Sequence, residues 1–338
     1  MNKLHFISSC LLSLLLLTIA NRAEAQTEYH WFRHEGVAQP YTAEMYSTLP
    51  KIELVKMNKF HPFYLKGNPA DRVLVEAQAG FQLSFLTIER ELSHGRLKAT
   101  LSSTTNVTTL IDVLEKTTAP VVNNDYRIGA KLFFHYTPTN SSNSFFKNYH
   151  LTLVPILHES THIGDEFTID SYTKLDDFAR INIGYEVWQL NVGFNKDYDR
   201  RKPNLSAEIG YQRLLPNKPG FYKVDKNEVK GQEITLSKNK DSWFLRAEYT
   251  YPILYKGITG NNLVASAEIQ RGTKFGYTAD NPEKRAWSAN FYAGYRIPIK
   301  NTQRHVGIYL RHYRGIIPYG QLRDMDGFYM TGLSVVVN

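Results

Sequence analysis

Apolar and polar residues alternate through most of the chain after residue 70. Within residues 73–85 the odd positions are apolar from Val73 to Phe85, whereas the even positions are mostly polar, as at Glu76 and Gln78. A period of two places the two kinds of side chain on opposite faces of a β-strand. Eleven such strands can be traced as far as residue 337, so the pattern predicts an all-β protein.

The distribution of aromatic residues distinguishes a membrane barrel from a soluble β-sandwich, whose strands also alternate. The chain has 22 Tyr and 18 Phe, and aromatic residues stand at the ends of predicted strands, as at Tyr126 and Tyr136. Barrels that cross a membrane have aromatic girdles at both interfaces. No segment after residue 25 is apolar enough for a membrane-spanning helix. We therefore predict a transmembrane antiparallel β-barrel.

The lengths of the predicted connections also fit a barrel. Short connections such as 91–95 and 300–303 alternate with longer ones such as 104–124, 163–179 and 214–241. Outer-membrane barrels have short periplasmic turns, long outer loops and, in bacterial single-chain proteins, an even number of strands. Because eleven strands are odd in number, the segment KIELVKMNKF at 51–60 is the candidate for one more. The prediction is a barrel of about 12 strands over residues 51–338.

The first 25 residues have the features of a secretory signal peptide. Lys3 precedes an apolar run at 10–20, and Ala23-Glu24-Ala25 is a small-x-small cleavage site. We expect residues 26–50 to form an irregular periplasmic lead-in. Cys10 is the single cysteine, so the mature chain is expected to contain no disulfide and no thiolate ligand. These features predict the outer membrane of a Gram-negative bacterium.

The charge of the chain bears on its partners. The formal net charge is +8, which is mild for this length and fits contact with anionic lipid phosphates. We expect outer-membrane lipid, lipopolysaccharide and the barrel-assembly machinery as partners, no nucleic acid, and a monomer.

A zinc-protease pattern, His158-Glu159-Ser160-Thr161-His162, lies in a segment that alternates as a strand. The pattern holds zinc when a helix places both histidines on one face, one turn apart. Along a strand the two histidines are separated by about 13 Å, whereas zinc–nitrogen bonds are about 2.0–2.1 Å. We therefore expect no metal site here and no cofactor.

The same segment contains a His-x-Ser pair, His158 and Ser160, which could act as base and nucleophile. At that dipeptide spacing only, the pair resembles outer-membrane phospholipase A and lipid A deacylases. The resemblance implies an alternative function as a lipid hydrolase, with Asn182 or Asp165 as candidates for the third, orienting residue. Neither of these two residues has a motif-level match.

The direction in which this pair points depends on strand parity. The apolar residues of 151–157 predict that His158 and Ser160 face the lumen, where lipid does not reach, unless a bulge at Pro155 reverses the parity. In the next strand the apolar parity switches near Trp188, which predicts a β-bulge there.

Charged and polar residues on the inward faces predict a network across neighbouring strands. Such a network would plug the barrel or select solutes. The leading functional prediction is thus a structural barrel or a narrow, porin-like solute channel rather than an enzyme. The predicted network consists of His158, Ser160, His162, Asp165, Glu166, Arg127, Arg180, Asn182, Glu208, Arg246, Glu248, Glu268, Arg296 and Arg311.

Several segments, in the same order over roughly residues 58–338, resemble an uncharacterised Gram-negative outer-membrane family, domain of unknown function 1207. The resemblance implies a barrel and no established activity. The chain departs from many outer-membrane barrels in that it does not end in an aromatic residue. The matching segments are Asn124-Asp125-Tyr126-Arg127-Ile128-Gly129, Ser160-Thr161-His162-Ile163-Gly164-Asp165-Glu166, Arg180-Ile181-Asn182, and the tail from Tyr319-Gly320-Gln321 to Gly332-Leu333.

Overall fold

The computed structural model describes most of the predicted barrel. The described residues are 27–32, 40–45, 47–60, 70–114, 121–139, 145–162, 180–195, 202–215, 222–224, 232–233, 241–255, 258–273, 285–299, 305–316, 318–319 and 328–337. The predicted signal peptide at 1–25 lies outside them. Within these ranges no helix is both long enough and apolar enough to cross a membrane.

Strands make up nearly all of the described chain. They are β1 (Thr27–Trp31), β2 (Lys51–Phe60), β3 (Ala70–Leu92), β4 (Gly95–Ile111), β5 (Val121–Pro138), β6 (Tyr149–His162), β7 (Arg180–Phe194), β8 (Asn204–Leu214), β9 (Tyr222–Val224), β10 (Gln232–Glu233), β11 (Asp241–Tyr255), β12 (Ile258–Thr273), β13 (Arg285–Pro298), β14 (His305–Gly315) and β15 (Phe328–Val337).

Twelve of these strands, β2–β8 and β11–β15, close into an antiparallel barrel. Each pairs with its neighbour in the chain, and β8 pairs with β11 across the segment that contains the short strands β9 and β10. The pairing of β15 with β2, for example Leu333 with Leu54, joins the last strand to the first and leaves no open edge. The predictions of about 12 strands and of a strand at Lys51–Phe60 are confirmed.

The two surfaces of the barrel differ as the alternation predicts. On β11, Trp243 and Leu245 point outward and are each 49% exposed. The next residue, Arg246, points inward and is buried. On β14, the outward Leu310 is 69% exposed and the adjacent Arg311 is 2% exposed. The outer surface is therefore apolar, and the charged groups are concentrated in the lumen.

Aromatic side chains form a row at each end of the outer surface. At the end with the longer connections, the Trp188 ring contacts Tyr211 at 5.2 Å between centroids, and Tyr211 contacts Trp243 at 4.6 Å. These rings lie on β7, β8 and β11. At the opposite end, Phe146 contacts Phe194 at 5.0 Å and stacks on a tyrosine at the start of β6. The apolar surface is thus bounded by aromatic rings on both sides.

The strands on one side are longer than the sequence predicts. The connection expected at 104–124 is mostly strand, because β4 continues to Ile111 and β5 begins at Val121. The stretch 102–109 is rich in serine and threonine on both faces, so it lacks the apolar alternation that marked the other strands. Threonine is nevertheless a good strand former because it is β-branched.

The expectation of an irregular lead-in at 26–50 is wrong for Thr27–Trp31, whereas 40–45 and 47–50 contain neither strand nor helix. Thr27–Trp31 forms β1, which adds to β3 through pairs such as Tyr29 with Ile88. Residues 40–45 and 47–50 enter the barrel, where Thr42, Ala43 and Ser47 bond to its inner wall. Polar residues of this stretch fit there because the wall offers hydrogen-bonding partners.

The predicted bulge near Trp188 is also wrong, and the irregularity lies in β6 instead. The register of β7 against β8 is continuous from Val187 to Phe194. In β6, two residues oppose one on each neighbouring strand, between Leu153 and Ile156 against β5 and between Val154 and Leu157 against β7. The extra residue is at Pro155, which has no amide hydrogen to donate to a neighbouring strand.

Candidate functional site

The lumen contains a segment of the chain itself, residues 40–45 and 47–50, named here the lumen segment. Its backbone bonds to the wall at three strands in succession. The Thr42 amide donates to Glu248 at 2.8 Å, and the Ala43 amide donates to Ser266 Oγ at 3.0 Å. The Asn290 side chain donates to the Ala43 carbonyl at 2.8 Å. These bonds hold the segment against β11, β12 and β13.

The lumen segment also contacts β3 and β4. The side-chain amides of Gln78 and Asn106 both donate to the Ser47 carbonyl, the latter at 2.6 Å. A Cβ built on Gly80 would lie 2.9 Å from Thr48 Cα, so only glycine allows the segment to pass this close. The segment therefore crosses the lumen from the β11–β13 wall to the β3–β4 wall.

The first ionic group, the Arg246 cluster, joins the lumen segment to the wall. Arg246 lies 2.9 Å from Glu208, 2.5 Å from Glu268 and 3.3 Å from Glu44, which belongs to the lumen segment. The His150 ring lies 3.1 Å from Glu208. One arginine thus serves carboxylates from β8, β12 and the lumen segment, and such charge-assisted bonds are the stronger kind.

A second ionic pair supports the same segment. Arg296 Nη2 lies 2.9 Å from Glu248 and donates to Thr42 Oγ1 at 3.1 Å. Arg296 Nε donates to Tyr309 at 3.2 Å. Glu248 therefore receives hydrogen bonds from an arginine and from the Thr42 amide at once, so its charge is compensated although it faces the barrel interior.

The third ionic group, the Arg311 cluster, is buried inside the barrel and joins β14 to β2 and β3. Arg311 contacts Glu53 and lies 2.9 Å from Glu76. Lys51 lies 3.5 Å from Glu53 and 3.7 Å from Glu76. Tyr292 donates to Glu53 at 2.5 Å. Two cations face two carboxylates, and all four side chains are at most 1% exposed.

Two tyrosines outside the strands, Tyr41 and Tyr319, are buried next to carboxylates of the ionic groups. Burial, with the Glu208 carboxylate nearby, raises the pKa of Tyr41. Burial and the carboxylate of Glu76, to which Tyr319 donates, raise the pKa of Tyr319 well above its usual value. Both phenols therefore keep their protons at physiological pH, and Tyr319 acts as a hydrogen-bond donor to Glu76.

A cavity remains in the part of the lumen next to the longer connections. Its volume is about 140 Å³. Glu44 of the lumen segment lines it, together with Arg127, Glu159 and Lys131 from the wall. Arg127 and Glu159 form an ion pair. The cavity is thus lined by charges of both signs, and the lumen segment lines part of it.

The structure places seven residues of the predicted network inside the barrel. These are Arg127, Glu208, Arg246, Glu248, Glu268, Arg296 and Arg311. Asp165 and Glu166 lie outside the described residues, and so do the side chains of Arg180 and Asn182.

The prediction that His158, Ser160 and His162 face the lumen is wrong. The bulge in β6 reverses the parity after Pro155, so these three residues point outward. Their strand partners on β5 are outward residues, including Ile128 opposite His158, which is 58% exposed. On the outer surface, His158 Nδ1 lies 3.2 Å from a carboxylate oxygen of Glu186.

Several residues of the ionic groups were missed by the sequence argument. Lys51 and Glu53 alternate with the outward Ile52 and Leu54, which are 64% and 51% exposed. That alternation could have assigned both to the lumen. Glu44 had no such signal, because the lumen segment follows no strand pattern. Within the described part of the chain, no group of three or more His, Cys, Asp or Glu side chains is arranged to hold a metal ion.

Comparisons with known proteins found likenesses among solved structures. No protein-family model matches the chain, and no curated protein matches it. The translocator domain of the autotransporter NalP from Neisseria meningitidis has 12% identity and a TM-score of 0.40, with 86% of each chain covered. The β domain of the Bordetella autotransporter BrkA has 9% identity and a TM-score of 0.36, with coverage of 85% of this chain and 98% of that one.

The outer membrane protein OprD from Pseudomonas aeruginosa has 9% identity and a TM-score of 0.30, with coverage of 85% of this chain and 92% of that one. The twelve-stranded barrel is established by its own strand pairing. The resemblance to domain of unknown function 1207 stays a prediction.

Proposed function

We propose that the protein is an outer-membrane β-barrel of a Gram-negative bacterium that acts as a narrow solute channel, closed at rest by its own lumen segment. The observation that carries this proposal is the path of that segment. It bonds to β11–β13 through Thr42 and Ala43 and to β3–β4 through Ser47. A chain fixed to opposite walls leaves little room for a solute to pass.

The outer surface supports the membrane location. A closed barrel has no unpaired strand edge, which is what the interior of a bilayer requires of a β-protein. The apolar band lies between the Trp188–Tyr211–Trp243 row and the Phe146–Phe194 row. Outer-membrane barrels have such a band between aromatic girdles. In the proposed orientation the longer connections face the exterior, and lipid, lipopolysaccharide and the barrel-assembly machinery are the partners of a monomer.

The lining of the lumen supports small polar solutes as the cargo. The cavity beside the lumen segment is lined by Arg127, Lys131, Glu159 and Asn191. Rings of charged side chains select ions and polar solutes in membrane pores. Glu44 of the lumen segment is bound to Arg246 on the wall, so the segment can move only if this ion pair breaks. We therefore expect the channel to open only rarely.

Conductance across planar bilayers tests the proposal. We expect the mature protein to show rare, brief openings. A variant with a glycine–serine sequence of equal length in place of residues 41–48 should show a sustained conductance at least several times larger. In a matched control, a glycine–serine sequence replaces Thr27–Trp31, the strand β1 that pairs with β3. This control should show the conductance of the unaltered protein. Equal conductance of the folded linker variant and the unaltered protein would refute occlusion by the segment.

A further inference from the structure

Three side chains with the chemistry of a hydrolase lie on the same outer surface of β6 and β7. His158 and Ser160 are two residues apart on β6, and Glu186 lies opposite His158 on β7. The His158–Glu186 contact is 3.2 Å long, and their side chains are 46% and 27% exposed.

We propose that Ser160, His158 and Glu186 form a nucleophile, general base and orienting acid that hydrolyse the acyl ester bonds of membrane lipids. This activity is separate from the proposed conduction through the lumen, because the site lies on the opposite side of the barrel wall. Glu186 replaces Asn182 and Asp165, the orienting residues considered from the sequence.

The geometry assigns each role. Residues two apart on a strand share a face and are separated by about 7 Å along it, so the His158 ring can reach Ser160 by rotation of its side chain. Glu186 contacts Nδ1 of His158. A hydrogen on Nδ1, held by the carboxylate, leaves Nε2 as the basic nitrogen, which is the arrangement of serine hydrolases on unrelated folds. Apo structures often show the nucleophile–base contact lengthened.

Space for an acyl chain is available beside the serine. Ser160 lies opposite Gly184 on β7 and opposite Tyr126 on β5. A Cβ built on Gly184 would have only the Glu159 carbonyl oxygen within 4 Å, at 3.9 Å, so the strand leaves an open notch there. Tyr126 and Ile128 provide an exposed apolar wall on the other side.

The site lies at the outer rim of the apolar band. Val187 pairs with Leu157 and Glu186 with His158, so the His158–Glu186 pair lies two residues beyond Trp188, just outside the aromatic row that bounds the apolar band. Tryptophan and tyrosine rings settle at the level of the headgroups. The ester carbonyls of phospholipids and of lipid A lie next to this level, at the boundary between headgroup and acyl chain.

The reaction is an acyl transfer in two steps. Ser160 Oγ attacks the ester carbonyl while His158 Nε2 accepts its proton, and the C–O bond breaks as His158 returns that proton to the leaving alcohol. A water molecule then attacks the acyl-serine. His158 accepts a proton from the water and passes it to Ser160 Oγ as the fatty acid leaves. Water is the only co-reactant, and Glu186 stabilises the imidazolium formed in each step.

Release of labelled fatty acid tests the proposal and identifies the lipid. The mature protein is folded into vesicles of phosphatidylethanolamine and phosphatidylglycerol with labelled acyl chains in one arm, and into vesicles containing acyl-labelled lipopolysaccharide in the other. We expect release in one arm. Ser160→Ala should abolish it, and His158→Asn should lower it by at least about 100-fold, the lower range for loss of a general base.

Two further variants separate catalysis from stability. Glu186→Gln keeps the size of the side chain and should lower release by at least about 10-fold. Ser103→Ala, which alters a serine on the outer face of β4 beside Leu101, should leave release unchanged. A heat-dependent shift in gel mobility verifies folding of each variant.

A fluorophosphonate, which reacts with activated serines, should label Ser160 in the unaltered protein and not in Ser160→Ala. If the folded protein releases no fatty acid from either lipid and takes no fluorophosphonate, the proposal is overturned. Release that persists in Ser160→Ala would overturn it as well.

Discussion

Arg311→Met removes a cation that two buried carboxylates share. Arg311 contacts Glu53, lies 2.9 Å from Glu76, and donates to Asn290 at 3.1 Å. Without it, both carboxylates retain only Lys51 as a neighbouring cation in the cluster, at 3.5 and 3.7 Å. Removal of one partner from a buried ion pair costs about 3–5 kcal/mol, because a buried charge is left uncompensated. We expect a loss of that size in the free energy of unfolding.

Denaturant unfolding of the protein in lipid vesicles measures this loss. The double variant Arg311→Met with Glu53→Gln leaves Lys51 facing Glu76 alone, so one cation again balances one carboxylate. We expect it to be more stable than Arg311→Met by about 1–3 kcal/mol, the range of coupling energies for residues in one network. Arg314→Met alters an exposed residue on the same strand and should change stability by less than about 0.5 kcal/mol.

A loss below about 1 kcal/mol in Arg311→Met, with no recovery in the double variant, would contradict the assignment of the Arg311 cluster as a buried ionic group. Water reaching the cluster would produce that result, because exposed ion pairs contribute about 0–1 kcal/mol.

Two further predictions concern local geometry. A Cβ built on Gly294 would lie 2.1 Å from the Ile308 carbonyl oxygen, so Gly294→Ala should lower the free energy of unfolding by about 1–3 kcal/mol, whereas Gly184→Ala should have little effect. In membranes, Ser160→Cys should react with a lipid-soluble maleimide, whereas Thr161→Cys should not, because the Thr161 side chain is buried in the barrel; equal labelling of both would contradict the reversed parity of β6.

The alternation of apolar and polar residues was sufficient to predict the barrel. In β3, Phe81 and Phe85 point outward and Glu76 and Gln78 point inward, as their parity indicates. Each strand has a polar face toward the lumen and an apolar face toward lipid. This difference between the two faces fixes the register of the strand. Strand β4 was predicted too short because its serine and threonine residues suit either face.

The orientation of the His158–Ser160 pair could not be predicted from parity alone. One additional residue in a strand moves every later side chain to the opposite face. The proline in β6 marked the place where that could happen, but an apolar residue on each side of it, Val154 and Ile156, gave no indication of which parity continued. The choice depends on the pairing of β6 with both neighbours.

The path of the lumen segment was not predictable from its own sequence. Residues 40–50 have no strand alternation and carry few charges, so nothing distinguishes them from an external linker. Their position depends on partners that are more than 200 residues away in sequence, namely Glu248, Ser266 and Asn290. Contacts at such separation arise from closure of the barrel and leave no local pattern.

Cross-linking of the lumen segment to the barrel wall tests the account most directly. The Ala43 amide lies 3.0 Å from Ser266 Oγ, so cysteines at these two positions should approach closely enough for a disulfide. We expect Ala43→Cys with Ser266→Cys to form one under mild oxidation, which a mobility shift after proteolysis would detect. The control pair, Ala43→Cys with Ala265→Cys, places the second thiol on the outer surface and should form none. Failure of the folded Ser266 pair to cross-link, or equal cross-linking of the control, would contradict the presence of the segment in the lumen.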